Sequence, residues 1–322
     1  MGTHLLEVKQ LKKTYPIYGN RKKRFAPRER MCAVEDLSFY IREGETYGLV
    51  GESGCGKSTT GRAIVGLEKA DSGSIFYQGQ DLCGLSERGF LPLRGELQMI
   101  FQDTLSALNP RKRIGDILEE ILNIHGMKDP AGRRDRVAGI LHKVGLATEH
   151  YFRYPHELSG GQVQRLGLAA ALLIGPKLII CDEPVSALDV SIQAQILNML
   201  LELKQEMRLS LLFISHDIGV VRFISDRVGV MYLGTLAEEA DTQSLFANPR
   251  HPYTQALFAA VPDISTRRRE FTALCGEQPV RTETFQGCAF SSRCPYATNL
   301  CQKEAPVFRE IEKGHKVACH QA

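Results

Sequence analysis

The sequence GLVGESGCGKSTT, from Gly48 to Thr60, is the most informative segment of this chain. It begins within a short apolar run, Thr46–Val50, that predicts a buried strand, and it continues into GKSTTGRAIVGL, which predicts a helix. A strand, a glycine-rich turn and a helix in this order are the context that a phosphate-binding loop requires. The turn lets backbone N–H groups point inward around phosphate, and the helix N-terminus adds positive charge.

We expect this loop to bind the phosphates of ATP. Lys57 is expected to reach the β- and γ-phosphates, and the Ser58 hydroxyl is expected to hold Mg²⁺. Cys55 is interpreted as a small packing residue rather than a redox switch. The nucleotide-binding residues predicted in this segment are Gly51, Glu52, Ser53, Gly54, Cys55, Gly56, Lys57, Ser58 and Thr59.

Polar side chains also follow three other predicted strands. LIICDEP ends in Asp182 and Glu183, Gln102 follows LQMIF, and His216 follows LLFIS. Because the carboxyl ends of parallel strands meet at one edge of a sheet, we expect these side chains to surround one nucleotide. Asp182 suits the Mg²⁺ shell together with Ser58 and Gln102, while Glu183 is placed to polarise an attacking water. The predicted catalytic residues are Glu183, His216 and Gln102.

The rest of the chain predicts an α/β fold with a mostly parallel sheet. Short apolar runs at 46–50, 97–101, 178–181 and 211–215 alternate with long helical stretches. Apolar residues at three- and four-residue spacing predict an inserted helical subdomain at about 104–175. From residue 251 the sequence becomes irregular and rich in Pro, Arg and Cys, which predicts an ATPase domain at 1–250 and a C-terminal extension at 251–322.

Composition excludes several classes of protein. Hydrophobic residues make up 43% of the 322 and charged residues 24%, which is close to globular averages. A net charge of +3 does not by itself demand a nucleic-acid partner. Neither a secretory signal nor an apolar run of membrane-spanning length is visible, so a cytosolic location is expected. The basic segment 16–30 is interpreted as a solvated loop, with contact to an acidic surface or lipid head groups as the alternative.

A second anion site is predicted at HELSGGQVQRLGLAAALL. Ser159 is a plausible N-cap, followed by Gly160, Gly161 and Gln162 at the start of a helix. N–H groups at a helix N-terminus bind anions, yet the chain's own phosphate loop already provides one such site. The surplus site predicts a head-to-tail dimer in which it contacts the nucleotide of another copy or of a paralogue.

These motifs, with SALD and SHD, resemble the nucleotide-binding subunits of ATP-binding cassette (ABC) transporters. The resemblance implies that Tyr15 stacks on adenine, that Gln102 links the nucleotide state to the membrane subunit, and that His216 senses the γ-phosphate. Asp189 of SALD is included among the nucleotide-site residues. Val163 and Ala170 stand where arginine is common in the family, and we expect effects on stability or coupling rather than loss of hydrolysis.

ALNPRKRIGDILEE, NPRHPYTQAL and the terminal cysteines narrow the resemblance to subunits of dipeptide and oligopeptide importers. Importers of nickel chelates or glutathione share these features. The resemblance implies a second ATPase subunit, two permease subunits, an extracytoplasmic solute-binding protein and a place on the cytoplasmic face of the membrane. A soluble ABC ATPase acting on nucleic acid or ribosomes, a P-loop kinase and a redox or iron sensor are the alternatives.

Four of the nine cysteines lie near the end of the chain: Cys288, Cys294, Cys301 and Cys319. Five, six and seventeen residues separate them, whereas structural zinc sites favour ligand pairs two to four residues apart. Four thiolates without such a pair favour an iron–sulfur cluster, and the resemblance implies a [4Fe–4S] cluster. Zn²⁺ and reduced packing cysteines remain the alternatives, and a structural role is favoured over electron transfer.

Overall fold

The computed structural model describes residues 4–17, 29–186, 188–259 and 278–322. Their strands are β1 (Leu6–Pro16), β2 (Arg30–Ile41), β3 (Thr46–Val50), β4 (Ser72–Tyr77), β5 (Gln80–Asp81), β6 (Leu97–Ile100), β7 (Leu178–Asp182), β8 (Ser210–Ser215), β9 (Arg227–Tyr232), β10 (Thr235–Asp241), β11 (Arg309–Glu312) and β12 (His315–Val317). Their helices are α1 (Lys57–Ile64), α2 (Glu87–Phe90), α3 (Ile114–Ile124), α4 (Pro130–Lys143), α5 (Gly160–Leu172), α6 (Val190–Met207), α7 (Ile218–Ile224), α8 (Thr242–Ala247), α9 (Pro252–Ala259) and α10 (Asn299–Lys303).

The described residues fall into two compact units. The first unit is drawn from 1–42, 46–84 and 214–322, and the second from 43–45 and 85–213. In the first unit, β2, β1, β4 and β5 form an antiparallel sheet in that order. A second run of strands has the order β11-β12-β10-β9-β3, in which β3 and β9 are parallel. All five residues of β3 are buried, as expected for a strand covered on both faces.

Helix α7 packs closely against β3 because Gly48 has no side chain. A Cβ at Gly48 would lie 2.5 Å from both Ser225 Oγ and Val221 Cγ1, so even alanine would force the helix away from the strand. Asp217 caps this helix by accepting a hydrogen bond from the Val220 N–H at 3.1 Å. The close packing fixes the strand that leads into the phosphate loop.

The C-terminal extension completes the sheet of the first unit. Strand β12 pairs antiparallel with β10, and β11 pairs with β12. The carboxylate of Glu238 on β10 is fully buried and accepts hydrogen bonds from the N–H groups of Arg250 and His251 at 2.7 and 2.9 Å. His315 Nε2 on β12 lies 2.7 Å from the same carboxylate. A buried carboxylate needs such partners, so Glu238 ties the extension to the core.

The second unit contains the first four residues of β8, then β7 and β6 in that order, together with α2 to α6. Strands β6 and β7 are parallel, with Ile100 opposite Cys181. Helix α3 buries Ile114, Ile117 and Leu118 at three- and four-residue spacing. Pro130 stands at the first position of α4, and Asp129 caps it by accepting from the N–H groups of Ala131 and Gly132.

The predicted strands and the helical region between residues 114 and 173 are confirmed. Run 46–50 coincides with β3, and the other three runs agree with β6, β7 and β8 to within one residue at each end. The antiparallel sheet of β2, β1, β4 and β5 was not predicted. The fold therefore contains more antiparallel strand pairs than the sequence indicated. Most of the basic segment 16–30 lies outside the described residues.

Candidate functional site

The phosphate loop connects β3 to α1, and two of its positions accept no residue other than glycine. Gly51 has φ 153°, and a Cβ there would lie 2.1 Å from the carbonyl oxygen of Met231. Gly56 has φ 106°, and a Cβ there would lie 2.0 Å from the carbonyl oxygen of Ala33. Both positions therefore require glycine on grounds of conformation and of space. Ser53 and Gly54 are exposed at the turn.

Lys57 opens α1 and turns back over the loop. Its side chain is buried, and its Nζ donates to the carbonyl oxygens of Gly51 and Glu52 at 2.7 and 3.0 Å. The ammonium is thus held against the loop, where it can meet a phosphate. The first N–H groups of α1, including those of Ser58 and Thr59, belong to the helix turn that lacks intrahelical acceptors. Together these donors form an anion-binding site.

Cys55 lies inside the same loop and is almost completely buried. Burial raises the pKa of its thiol, an effect that the neighbouring Lys57 ammonium only partly opposes. A neutral buried thiol is a poor nucleophile. The environment therefore supports the interpretation of Cys55 as a packing residue.

In the second unit, the ends of β6 and β7 bring two predicted catalytic side chains together. Gln102 Nε2 donates to Glu183 Oε2 at 3.0 Å. Glu183 has φ 50°, a left-handed conformation that turns the chain sharply after the strand. Asp182, one residue earlier, is buried at the end of β7. The expected proximity of Gln102 and Glu183 is confirmed, while the roles of these side chains stay predictions.

The LSGGQ segment begins α5 as predicted, with Ser159 at the N-cap. Gln162 Oε1 accepts from the Ser159 N–H at 3.0 Å, which is one half of a capping box. Gly161 packs against α6, where a Cβ would lie 2.7 Å from Ile192 Cγ2. Ser159 and Gly160 are exposed, so this helix start is accessible for a ligand from another molecule. Asp189 is the N-cap of α6.

His216 and Tyr15 belong to the first unit. His216 is exposed and follows β8 directly, where the Asp217 N–H donates to Ser215 Oγ at 3.0 Å. The hydroxyl of Tyr15 donates to Glu68, and the Lys13 ammonium lies 5.3 Å from the centre of the Tyr15 ring. Glu68 and Lys13 therefore fix the orientation of this ring. Its role in stacking on adenine and the role of His216 stay predictions.

The four terminal cysteines lie close enough for the charge on one to affect the pKa of another. Burial raises the pKa of Cys288, and negative charge on Cys301, Cys319 or Cys294 would raise it further. The pKa of Cys294 is raised by burial and by its neighbours Cys319 and Cys301. Within residues 4–17, 29–186, 188–259 and 278–322, however, no three His, Cys, Asp or Glu side chains are arranged to hold a metal ion. The four-cysteine metal site predicted from the sequence therefore stays a prediction.

Comparison with known proteins identifies relatives along the whole chain. A family model described as "ABC transporter" matches residues 34–186, and one described as "Oligopeptide/dipeptide transporter, C-terminal region" matches residues 237–301. The oligopeptide transport ATP-binding protein AppF of Bacillus subtilis is 48% identical, covering 98% of this chain and 97% of its own. The dipeptide transport ATP-binding protein DppF of Escherichia coli is 45% identical, covering 98% and 93%.

Solved structures of ATP-binding cassettes share the fold. A dimeric post-hydrolysis state of the cassette MJ0796, bound to ADP and Pi, covers 74% of this chain and 98% of its own, with a TM-score of 0.65 and 27% identity. CbiO1 of Clostridium perfringens, part of the transporter complex cbiONQ, covers 76% and 92%, with a TM-score of 0.64 and 27% identity.

A phosphate loop on a strand–turn–helix unit, together with these matches, defines an ATPase of the cassette type. The chain belongs to the ABC transporter family, in its group of oligopeptide and dipeptide transport ATP-binding proteins. The predicted fold class, ATPase activity and family resemblance are confirmed. Among the helices that the structure describes, none has the length and apolar character needed to cross a bilayer.

Proposed function

We propose that this chain is the ATP-hydrolysing subunit of an importer of oligopeptides or dipeptides. The main support is the relationship to peptide transport ATP-binding proteins over 98% of the chain. The match of residues 237–301 to a peptide-transporter C-terminal region adds to it. The proposal divides the chain into an ATPase domain at 1–250, with a helical subdomain at about 104–175, and an extension at 251–322. It places the protein on the cytoplasmic face of the membrane.

ATP binds at the phosphate loop in this proposal, with Lys57 opposing the charge of the β- and γ-phosphates. Mg²⁺ would be held by Ser58, Gln102 and Asp182 and would supply positive charge to the transferring phosphoryl group. Hard oxygen donors of this kind are the ligands that Mg²⁺ prefers, so the residues fit the ion. Glu183 polarises the attacking water, His216 senses the γ-phosphate, and Tyr15 stacks on adenine.

A second ATPase subunit, identical or paralogous, is proposed to complete the site in a head-to-tail dimer. Its Ser159, Gly160, Gly161, Gln162 and Asp189 would face the nucleotide held by the first subunit. The exposed N-terminus of α5 supports this arrangement because its N–H groups can reach an anion outside the chain. The dimeric cassette MJ0796 is a structural relative with ADP and Pi bound.

A groove in the second unit supports docking to the proposed permease subunits. It has a volume of about 420 Å³ and lies between the end of β6 and helix α3. Its walls include Phe101, Leu108, Ile117 and Ile121, and Ile124 at its edge is 72% exposed. An apolar groove of this kind accommodates the apolar face of a short helix. We assign it to a cytoplasmic helix of a permease subunit, beside the Gln102 that responds to nucleotide.

The proposed transport function predicts peptide-stimulated ATP hydrolysis. The chain is co-expressed with its permease and partner ATPase subunits, reconstituted in vesicles, and assayed with the solute-binding protein loaded with dipeptides or longer peptides. Ile124→Asp is expected to reduce co-purification with the permease, whereas Ile124→Leu should retain it. If a nickel chelate or glutathione stimulated hydrolysis and peptides did not, the proposed cargo would be wrong. Stimulation by nucleic acid or ribosomes alone would refute the transport role.

The four cysteines are proposed to bind a [4Fe–4S] cluster, with Zn²⁺ as the alternative. Four thiols in one neighbourhood are a donor set for soft metals, so the residue types fit the group, although their side chains must rearrange to meet it. When bound, the cluster would supply cross-links that order a segment too small to build its own core. It would play no part in the hydrolysis of ATP.

The cluster predicts a brown protein with about four iron atoms per chain after anaerobic purification. Replacing Cys294 by serine is expected to remove the colour and most of the iron, whereas Cys83→Ser, at an exposed cysteine outside the extension, should leave both unchanged. Metal analysis distinguishes the alternatives. About one zinc per chain would favour the zinc site, and a metal-free native protein would contradict both.

A further inference from the structure

The cysteine-containing segment reaches the phosphate loop through Arg293. This residue lies in a tight turn between Cys288 and Cys294, in which the Ser291 N–H donates to the Cys288 carbonyl oxygen and the Arg293 N–H donates to the Phe290 carbonyl oxygen. Arg293 Nη1 lies 2.6 Å from Glu52 Oε2, and Nη2 lies 3.0 Å from Glu52 Oε1. A residue of the extension thus makes a two-point contact with the second residue of the loop, 241 positions earlier in the chain.

The ion pair is shielded on the arginine side. The Arg293 side chain is 6% exposed and the Glu52 side chain 26%. Arg293 Nη1 also donates to the Tyr232 hydroxyl at 3.4 Å. The hydrogen bond to Glu52, and a smaller effect of Tyr232, raise the pKa of the Arg293 guanidinium. Two parallel N–H···O bonds hold a carboxylate in position and orientation, which one flexible ammonium could not do.

The backbone of Glu52 is held from the same side. Its N–H donates to the Tyr253 hydroxyl at 2.9 Å, and Tyr253 is completely buried. The ring of Phe290, from the cysteine segment, packs against Tyr253 and Tyr232 at 5.4 and 5.3 Å between ring centres. The carbonyl oxygen of Glu52 in turn accepts from Lys57 Nζ at 3.0 Å. Contacts from Tyr253 and Arg293 therefore reach the phosphate-binding Lys57 through Glu52.

We propose that Arg293 is a positioning residue for the phosphate loop, through which the cysteine segment sets the affinity for ATP. Arg293 neutralises the carboxylate that the loop carries at Glu52 and keeps that carboxylate turned away from the phosphates. Without it, a negative charge in the loop would repel the anionic ligand and would compete for the Lys57 ammonium. The inference rests on ATP binding at this loop.

The test compares three variants of the full-length chain with the original protein. Arg293→Ala is expected to raise the Kd and the KM for MgATP about tenfold or more, because a charge-assisted pair is lost, while kcat changes less than about threefold. Arg293→Lys should give an intermediate value. The double variant Arg293→Ala with Glu52→Gln should regain most of the affinity, because the unpaired charge has been removed. Kd is measured by nucleotide titration, and KM and kcat are measured by phosphate release.

Glu312→Gln is the matched control. Glu312 of the extension also forms an ion pair with an arginine of the first unit outside the extension, Arg250. This pair is exposed, and Glu312 does not contact the phosphate loop. Its replacement is expected to leave Kd and KM unchanged. An unchanged Kd in Arg293→Ala, or a double variant that binds as weakly as the single one, would overturn the proposal. If Lys57→Ala also left the Kd unchanged, the ATP site itself would be wrong.

Discussion

Replacing Glu183 by glutamine is expected to stop ATP turnover while leaving ATP binding intact. Loss of a side chain that accepts a proton from attacking water costs roughly 100- to 10,000-fold in rate, so kcat should fall by at least about 100-fold. Glutamine keeps the shape of the side chain, and its Oε1 can still accept the 3.0 Å hydrogen bond from Gln102 Nε2. The Kd for MgATP should therefore change little, and ATP should trap the closed dimer.

Phosphate release and size-exclusion chromatography with ATP measure the two effects of Glu183→Gln. Glu202→Gln is the matched control, because Glu202 is an exposed glutamate on α6 of the same unit. The control should hydrolyse ATP at the original rate and should not accumulate as an ATP-bound dimer. Normal turnover in Glu183→Gln would remove Glu183 from its assigned role.

Lys57→Ala is expected to weaken MgATP binding about 10- to 150-fold. The buried ammonium is the positive charge that the loop offers to the β- and γ-phosphates, and charge-assisted hydrogen bonds of this kind contribute roughly 1.5–3 kcal/mol. The carbonyl oxygens of Gly51 and Glu52 would lose their shared donor, so the loop would also lose its present shape. Both changes act in the same direction on affinity.

Nucleotide titration with MgATP, MgADP and AMP provides the measurement for Lys57→Ala. The loss should be large for ATP and ADP and small for AMP, because Lys57 acts on the β- and γ-phosphates. Lys69→Ala, an exposed lysine after α1, should leave all three affinities unchanged. Equal losses for the three nucleotides would indicate general unfolding of the loop and would contradict the assigned contact.

The sequence predicted those features that depend on neighbouring residues. A strand at 46–50, a glycine turn and a helix beginning at Lys57 follow from local composition, and the structure has all three. The contact between Gln102 and Glu183 was predictable as well, because both follow parallel strands and such strands end at one edge. In these cases a local pattern and one general rule of sheet geometry were sufficient.

Features that depend on distant pairing were missed. The antiparallel pairing of β1 with β2 and β4 is interrupted by register shifts, one of them between Val8 and Leu11, and Gln10 has φ 47°. Such irregularities break the two-residue alternation by which a strand of this kind is recognised. The ion pair of Arg293 with Glu52 has no local signal, since its partners are 241 residues apart. The cysteine spacing predicted a set of metal ligands, yet spacing alone does not orient side chains.

The division of the chain into two units has a consequence for its synthesis. Residues 85–213 are contiguous, whereas the sheet of the first unit requires β12 at residues 315–317. A ribosome adds roughly 5–20 residues per second, so about 5–20 s pass between the completion of the second unit and the arrival of β12. Within that interval, from the synthesis of β10 at residues 235–241 until β12 arrives, the edge of β10 has no strand to cover it, and open edges invite pairing with other nascent chains. Slowed translation after residue 241 should therefore increase aggregation and the demand for chaperones.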